Sequence, residues 1–210
     1  VYSSNKVGFI EDVDLNRIDQ ILVENFSRGL GRSTAPNEVL SWRNSLPYMA
    51  AAMRDEEIPS NAGVSIECQI IPPSGKRIDF IVSGQDAAEK DNAVIIELKQ
   101  WQEAEMTDLD GVVLTRLGGR MARTAHPSYQ AYTYKSLLQG FNEAVYSGGI
   151  GVGACGYLHN CHASADLTDK RYEHYLLEAP LFFRPDVEKL REFIKRFVTK
   201  GDVNRVMYEI

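Results

Sequence analysis

The chain has 210 residues, 44% apolar and 25% charged, a balance that fits an ordinary globular protein with one substantial core. Its 23 basic residues face 29 acidic ones, for a net charge of −6. That counts against a protein that coats nucleic acid by charge alone, since such binding rests on Lys and Arg neutralising phosphates, but not against an enzyme whose own carboxylates hold metal ions. No apolar run approaches the roughly 18–20 residues that span a bilayer, so no membrane is expected. The start, "VYSSNKVGF", lacks a charged-then-apolar signal pattern, and its first residue is Val rather than Met, as expected of a fragment or processed product. Three cysteines, Cys68, Cys155 and Cys161, form no regular framework, which points to a reducing cytoplasm.

In chain order, "DLNRIDQILVENFSRGLG" spaces Leu15, Ile18, Ile21, Leu22 and Phe26 as an amphipathic helix stopped by Gly29 and Gly31. After the turn "STAPNE", "VLSWRNSLPYMAAAM" predicts a second helix with Pro47 as a point of kinking. "VSIECQII" (64–71) and "RIDFIVSG" (77–84) read as strands of a hairpin joined through "PPSGK". A third strand, "AVIIELKQW" (93–101), follows. The stretch around "RLGGRMAR" reads as irregular, and "HPSYQAYTYKSLLQGFNEAV" as a helix entered at Pro127. "GIGVGACGYL" reads as a small-residue strand against which something packs closely. The last helix, "PDVEKLREFIKRFV", puts Val187, Leu190, Phe193, Ile194 and Phe197 on one face. An antiparallel hairpin plus a crossover helix gives an α/β fold with a mixed sheet, αβββαβ, flanked by helices on both faces.

Strand side chains alternate between faces. That periodicity puts Glu97 and Lys99 with Ile95, Asp79 with Arg77 and Ile81, and Glu67 with Ser65 and Gln69. If the polar faces align, Glu67, Asp79 and Glu97 converge with Lys99 beside them. Clustered carboxylates repel unless a cation or proton intervenes, and a hard divalent ion suits oxygen ligands of this kind.

"RID" followed by "IELK" resembles the D…(E/D)xK signature of the PD-(D/E)XK nucleases, with Asp79, Glu97 and Lys99 in the matching positions and Ile78 where the usual Pro would stand. "QAYTY" fits the QxxxY pattern of the RecB-type branch through Gln130 and Tyr134, which lie one helical turn apart. The arrangement over residues 37 to 160 resembles the N-terminal nuclease domain of bacterial nuclease–helicase fusion proteins. The resemblance implies a restriction-endonuclease-like core at 37–160, an N-terminal helical extension at 1–36 and a C-terminal extension at 161–210. In such fusions a helicase would follow; this chain contains no GxxxxGK[ST] motif. It further implies a cytoplasmic enzyme that hydrolyses phosphodiester bonds, in DNA rather than RNA, with Mg²⁺ or Mn²⁺ bound by Asp79 and Glu97. Lys99 would orient water or stabilise charge, and Gln130 and Tyr134 would orient the site or the substrate.

Other residues carry two readings each. Glu67 is a metal ligand, a residue that holds such a ligand in place, or a solvated strand residue. Glu38, with Glu24 behind it, is a further metal-binding acid or a first-turn Glu favoured by the helix dipole. Ser41 and Ser45 line the site or a helix contact, and Gln100 is turned away from Glu97 by parity or brought in to contact substrate by a bulge. Arg116, Arg120 and Arg123 around Gly118-Gly119 contact nucleic-acid phosphates or form a solvated loop. Tyr134 is alternatively a packed aromatic, Glu97–Lys99 an ion pair on an exposed edge strand, and Asp79 a partner of Arg77. His126 is expected to cap its helix. "HNCH" (159–162) lacks the four spaced ligands of a zinc site. The rival functions are a nuclease-like module that docks nucleic acid or a motor without cutting, and an assembly domain built on the last helix.

Overall fold

Strand β1 (Tyr2–Asn5) runs directly into helix α1 (Lys6–Asp14), capped by the Asn5 side chain accepting from the Gly8 amide at 2.8 Å in the computed structural model, which describes residues 1–31, 33–69 and 76–210. The sequence pattern predicted neither element. Four residues show little alternation, and α1 buries fully just Lys6 and Phe9, too few to form a visible stripe. Helix α2 (Ile18–Leu30) buries Ile18, Leu22 and Phe26 as expected and ends at Gly31, whose φ of +62° is the left-handed conformation that glycine tolerates best. Helix α3 (Pro36–Met53) starts three residues before its apolar pattern, with Pro36 in the first turn and Glu38 accepting from the Ala35 amide at 3.1 Å. It runs unbroken through Pro47.

Strands β2 (Gly63–Gln69), β3 (Arg77–Gln85) and β4 (Asp91–Lys99) match three of the expected strands. The turn expected between β2 and β3 lies outside the described residues. The region read as irregular is instead a second sheet: β5 (Ala104–Met106), β6 (Val112–Leu117) and β7 (Arg120–Ala125), all antiparallel. Gly118 and Gly119, at φ +56° and +83°, form the two-residue connection of its hairpin, where both central positions need positive φ. Helices α4 (Pro127–Phe141) and α5 (Glu143–Tyr146), strand β8 (Gly151–Leu158), helix α6 (Glu173–Glu178), strand β9 (Leu181–Phe183) and helix α7 (Val187–Lys195) complete the chain.

The main sheet has the order β1-β2-β3-β4-β8-β9. Its first four strands are antiparallel, and β4, β8 and β9 are parallel. This is an α/β fold with a mixed six-stranded sheet. Helices α1, α2, α3 and α7 cover one face, burying Phe9, Leu22, Phe26, Met49 and Ile194 against Val64, Phe80, Val94 and Ile96. On the opposite face, α4 buries Ala131, Tyr134 and Leu138 against Ile81, Ala93, Ile95 and Ala154. A third cluster beneath the small sheet gathers Trp101, Val113, Leu158, Leu167 and Tyr172. Residues 1–36 and 161–210, expected to be extensions, supply both edge strands of this sheet, β1 and β9. Among the described residues no helix is long and apolar enough to cross a membrane.

His126 caps α4 as expected: its Nδ1 accepts from the Ser128 amide at 3.2 Å, while Nε2 lies 3.0 Å from the Leu167 carbonyl. Burial lowers its pKa to about 4, so it stays neutral at pH 7. The close packing expected along β8 is also present. A Cβ on Gly153 would meet the Phe197 ring at 2.7 Å, and one on Gly156 would meet Leu181 at 2.6 Å and Pro127 at 3.2 Å. Gly156→Val is therefore expected to destabilise the fold by about 1–3 kcal/mol through overpacking. A lower urea midpoint at unchanged slope would register this, and an unchanged midpoint would refute it.

Candidate active site at the carboxyl end of strand β4

In a sheet with parallel strands, side chains beyond the carboxyl ends face an open crevice. Lys99 closes β4 and pairs with Leu158, the last residue of β8. A cavity of about 650 Å³ opens there between α3 and the hairpin of the small sheet, lined by Ser41, Asp79, Lys99, Gln100, Trp101 and Arg116 among others.

Alternation along β4 carries Ile95 into the core under α4 and delivers Glu97 and Lys99 to the same side, one and two steps nearer the crevice. Glu97 is 1% exposed. Lys99 Nζ donates to Glu97 Oε1 at 2.6 Å and to Gln130 Oε1 at 3.1 Å, and Gln130 Nε2 donates to the Tyr134 hydroxyl at 3.2 Å. Gln130 and Tyr134 lie four residues apart on α4, so both reach the same point. The pair Glu97–Lys99 is thus an ion pair of a buried central strand, not of an exposed edge. Asp79 completes the set. The β3–β4 register begins at Phe80 opposite Ile96, and just before it Asp79 Oδ2 accepts from the Leu98 amide at 2.9 Å.

Burial pushes the Asp79 carboxyl well above the usual carboxylate range, and the Glu97 charge pushes in the same direction, outweighing Lys99 and the Leu98 amide. For Lys99, burial acts downward, but the charges of Glu97 and Asp79 more than offset it and its pKa is raised. Lys99 is therefore a charged ammonium at neutral pH. Burial, reinforced by Glu97, raises the Tyr134 phenol to about 12. Glu97 Oε2 is buried and no N–H or hydroxyl donor among the described residues bonds it, a costly condition for a carboxylate oxygen; the Asp79 carboxyl, when it carries a proton, is within hydrogen-bond reach of Glu97.

Glu67 departs from the simple alternation. Ile66 and Phe80 pack toward α2 and α3, yet Cys68 and Ile78, two residues on, pack toward α4. The reversal occurs at Glu67, whose φ is +55°, a conformation that costs a non-glycine residue roughly 1–3 kcal/mol. Its carboxylate is turned toward α3, where Oε1 accepts from Trp42 Nε1 at 2.7 Å and Oε2 from Arg77 Nε at 2.6 Å. Arg77 also donates to Glu38 Oε1 at 2.5 Å. Arg77 therefore pairs with Glu67 and Glu38, where the sequence had offered Asp79 as a partner. The clamp formed by these three residues was missed because its members come from α3, β2 and β3. Glu67 and Glu38 nonetheless line a second cavity, of about 360 Å³, together with Asp79 and Tyr134.

Gln100 follows strand parity and turns to α3, donating to Ser41 Oγ at 2.8 Å and accepting from Asn44 at 3.0 Å. It still lines the first cavity, because that cavity wraps around the end of the sheet. Arg116 lines it as well. Arg120 and Arg123 are exposed on β7, Arg123 on the hairpin face of Arg116 and Arg120 on the other. Ser45 is buried and bonds His159 Nε2 at 3.0 Å, and Glu24 pairs with Arg28 on the surface. Within "HNCH", His159 is held against Tyr48 in a stacked contact and burial lowers its pKa to about 4.

Among the described residues no three His, Cys, Asp or Glu side chains are grouped to hold a metal. Asp79 and Glu97 are two hard oxygen donors, and the unpartnered Glu97 Oε2 is the kind of atom a cation would satisfy. That set fits Mg²⁺ or Mn²⁺, since Mg²⁺ keeps several waters and takes one or two carboxylates plus phosphate oxygens. Compared with protein-family models, curated proteins and solved structures, the chain matches none of them.

Because Asp79 has a folded-state pKa above its ordinary 3.8, its contribution to stability is complete below that value and is lost as pH rises through the folded pKa. Asp79→Asn removes the buried charge, and its carbonyl can still accept from Leu98. Its thermal midpoint at pH 7 is expected to exceed that of wild type, with the gap closing toward pH 4. Equal midpoints at both pH values would show that the carboxylate ionises without strain.

Proposed function

We propose that the chain is a metal-dependent nuclease domain of the PD-(D/E)XK type, on a restriction-endonuclease-like core, hydrolysing phosphodiester bonds in DNA. One observation carries this reading. Asp79, Glu97, Lys99, Gln130 and Tyr134, drawn from β3, β4 and α4, meet around the end of one strand, with a buried carboxylate oxygen left unpartnered. The preference for DNA comes from the resemblance of the motifs.

Asp79 and Glu97 would hold Mg²⁺ or Mn²⁺, which when bound supplies Lewis acidity and lowers the pKa of water. Lys99 is an ammonium kept charged by the carboxylates, so it serves as a fixed cation for charge developing on phosphate rather than as a base. Gln130 has no freedom to flip. Its Oε1 accepts from Lys99 and its NH₂ donates to Tyr134, which holds the ammonium in place. Ser41, Gln100 and Arg116, on the cavity wall, are placed for contacts to a nucleic-acid backbone, which position substrate without reading sequence.

Wild type is expected to cleave plasmid or single-stranded DNA with Mg²⁺ or Mn²⁺, and Glu97→Ala and Lys99→Ala are each expected to lose about 10²-fold or more in rate. Equal cleavage by all three proteins, or none with either metal, defeats the assignment. DNA binding without cleavage by wild type would favour the docking module instead. Arg116→Ala is expected to raise KM and reduce the slope of log affinity against log salt by about 1. An unchanged slope would remove Arg116 from the substrate path.

A further inference from the structure

Glu38, Glu67, Asp79 and Glu97 are carboxylates of two kinds. Both oxygens of Glu67 are engaged, by Trp42 and Arg77. Both oxygens of Glu38 are engaged too, Oε1 by Arg77 and Oε2 by the Ala35 amide. Glu97, by contrast, keeps Oε2 unpartnered and buried, and Asp79 accepts through Oδ2 from a backbone amide on the neighbouring strand. The saturated pair and the open pair share Asp79's surroundings, since Glu38, Glu67, Arg77 and Asp79 all line the second cavity.

Arg77 is built into that position. Its side chain is 15% exposed, it is ion-paired at 2.6 and 2.5 Å, and its guanidinium lies over the Phe26 ring at 4.6 Å. A guanidinium is charged at any working pH and presents its donors in a rigid fork. Without it, Glu38, Glu67 and Asp79 would confront one another as like charges around one space, the arrangement that two-ion hydrolytic sites fill with a second cation.

We propose that the Arg77 guanidinium takes the place of a second divalent cation, so that the site binds one metal ion, at Asp79 and Glu97, while Glu67 and Glu38 hold Arg77. The proposal rests on the nuclease reading and deepens it. A fixed cation beside the ion spares the site a second binding equilibrium and lets a substrate phosphate meet positive charge on two sides. The left-handed backbone at Glu67 is what turns its carboxylate to Arg77.

The test is a Mn²⁺ titration of the full chain at pH 7, followed by calorimetry and by the electron paramagnetic resonance signal of free Mn²⁺. Wild type is expected to bind one ion, lost in Asp79→Asn. Glu38→Gln and Glu67→Gln are expected to keep affinity within threefold of wild type, and Arg77→Gln to bind two ions. Two ions on wild type, a tenfold or greater loss in Glu38→Gln, or a single ion on Arg77→Gln would overturn the proposal while leaving the metal-dependent reading in place. No Mn²⁺ bound by wild type would defeat both. Glu38 is half-buried in the first turn of α3 and Gln keeps its size and its acceptor oxygen, so Glu38→Gln decides the matter even if Arg77→Gln does not fold.

Discussion

Two carboxylates and one ammonium, Asp79, Glu97 and Lys99, meet at the carboxyl end of a central strand, Glu97 buried and the other two half-buried at the mouth of the cavity, and their charges must be balanced in a confined space. Much of the surrounding architecture can be understood as meeting that demand. Helix α4 crosses the sheet where Gln130 can accept from Lys99, with Tyr134 fixing the amide. The Leu98 amide gives Asp79 a donor just where β3 and β4 cease to pair. What is left uncompensated is one oxygen of Glu97 and the raised affinity of Asp79 for a proton. Neither the open oxygen nor the displaced Asp79 titration adds to the stability of the fold.

Beside this open set lies a closed one. Glu67, Glu38 and Arg77 form a saturated cluster packed on Trp42 and Phe26. The two sets differ in how their partners were supplied. In the closed cluster every carboxylate oxygen has a donor from the chain itself, whereas in the open one Glu97 Oε2 has none. A single strained residue separates them: with Glu67 at positive φ, the strand ahead of it and the strand behind it bury opposite faces. Had β2 kept strict alternation, Glu67 would have joined Asp79 and Glu97 on one side and raised the local repulsion further.

The mixed sheet explains why the crevice lies where it does. Parallel pairing of β4 with β8 needs a crossover, which here carries the small sheet and α4. The crossover leaves β4 at Lys99 and forms the small sheet before α4 leads back toward the start of β8, so hairpin β6–β7 becomes one wall of the cavity and α3 the other. Gly156 of β8 lets Pro127 and Leu181 approach closely, which seats the start of α4 on the sheet.

Long periodic segments announced themselves in the sequence. Strands β2, β3, β4 and β8 and helices α2, α3, α4 and α7 were legible because many residues repeat one hydrophobic period. Elements β1, β9 and α1 were not, since three or four residues, or a helix with two buried side chains, carry too little pattern. The small sheet was hidden by its arginines, although Gly118-Gly119 was a hairpin signal in plain view. At the site, strand alternation put Glu97 and Lys99 on one face and helical spacing put Gln130 and Tyr134 one turn apart, while the resemblance of the motifs is what singled out these four together with Asp79. The fate of Glu67, Glu38 and Arg77 could not. Which way Glu67 points depends on the sign of one backbone dihedral, and which acid Arg77 takes depends on a helix some forty residues earlier coming to rest against the sheet. The local repeat thus determined which side chains share a face, and tertiary packing alone decided which carboxylates would find partners and which would stay open.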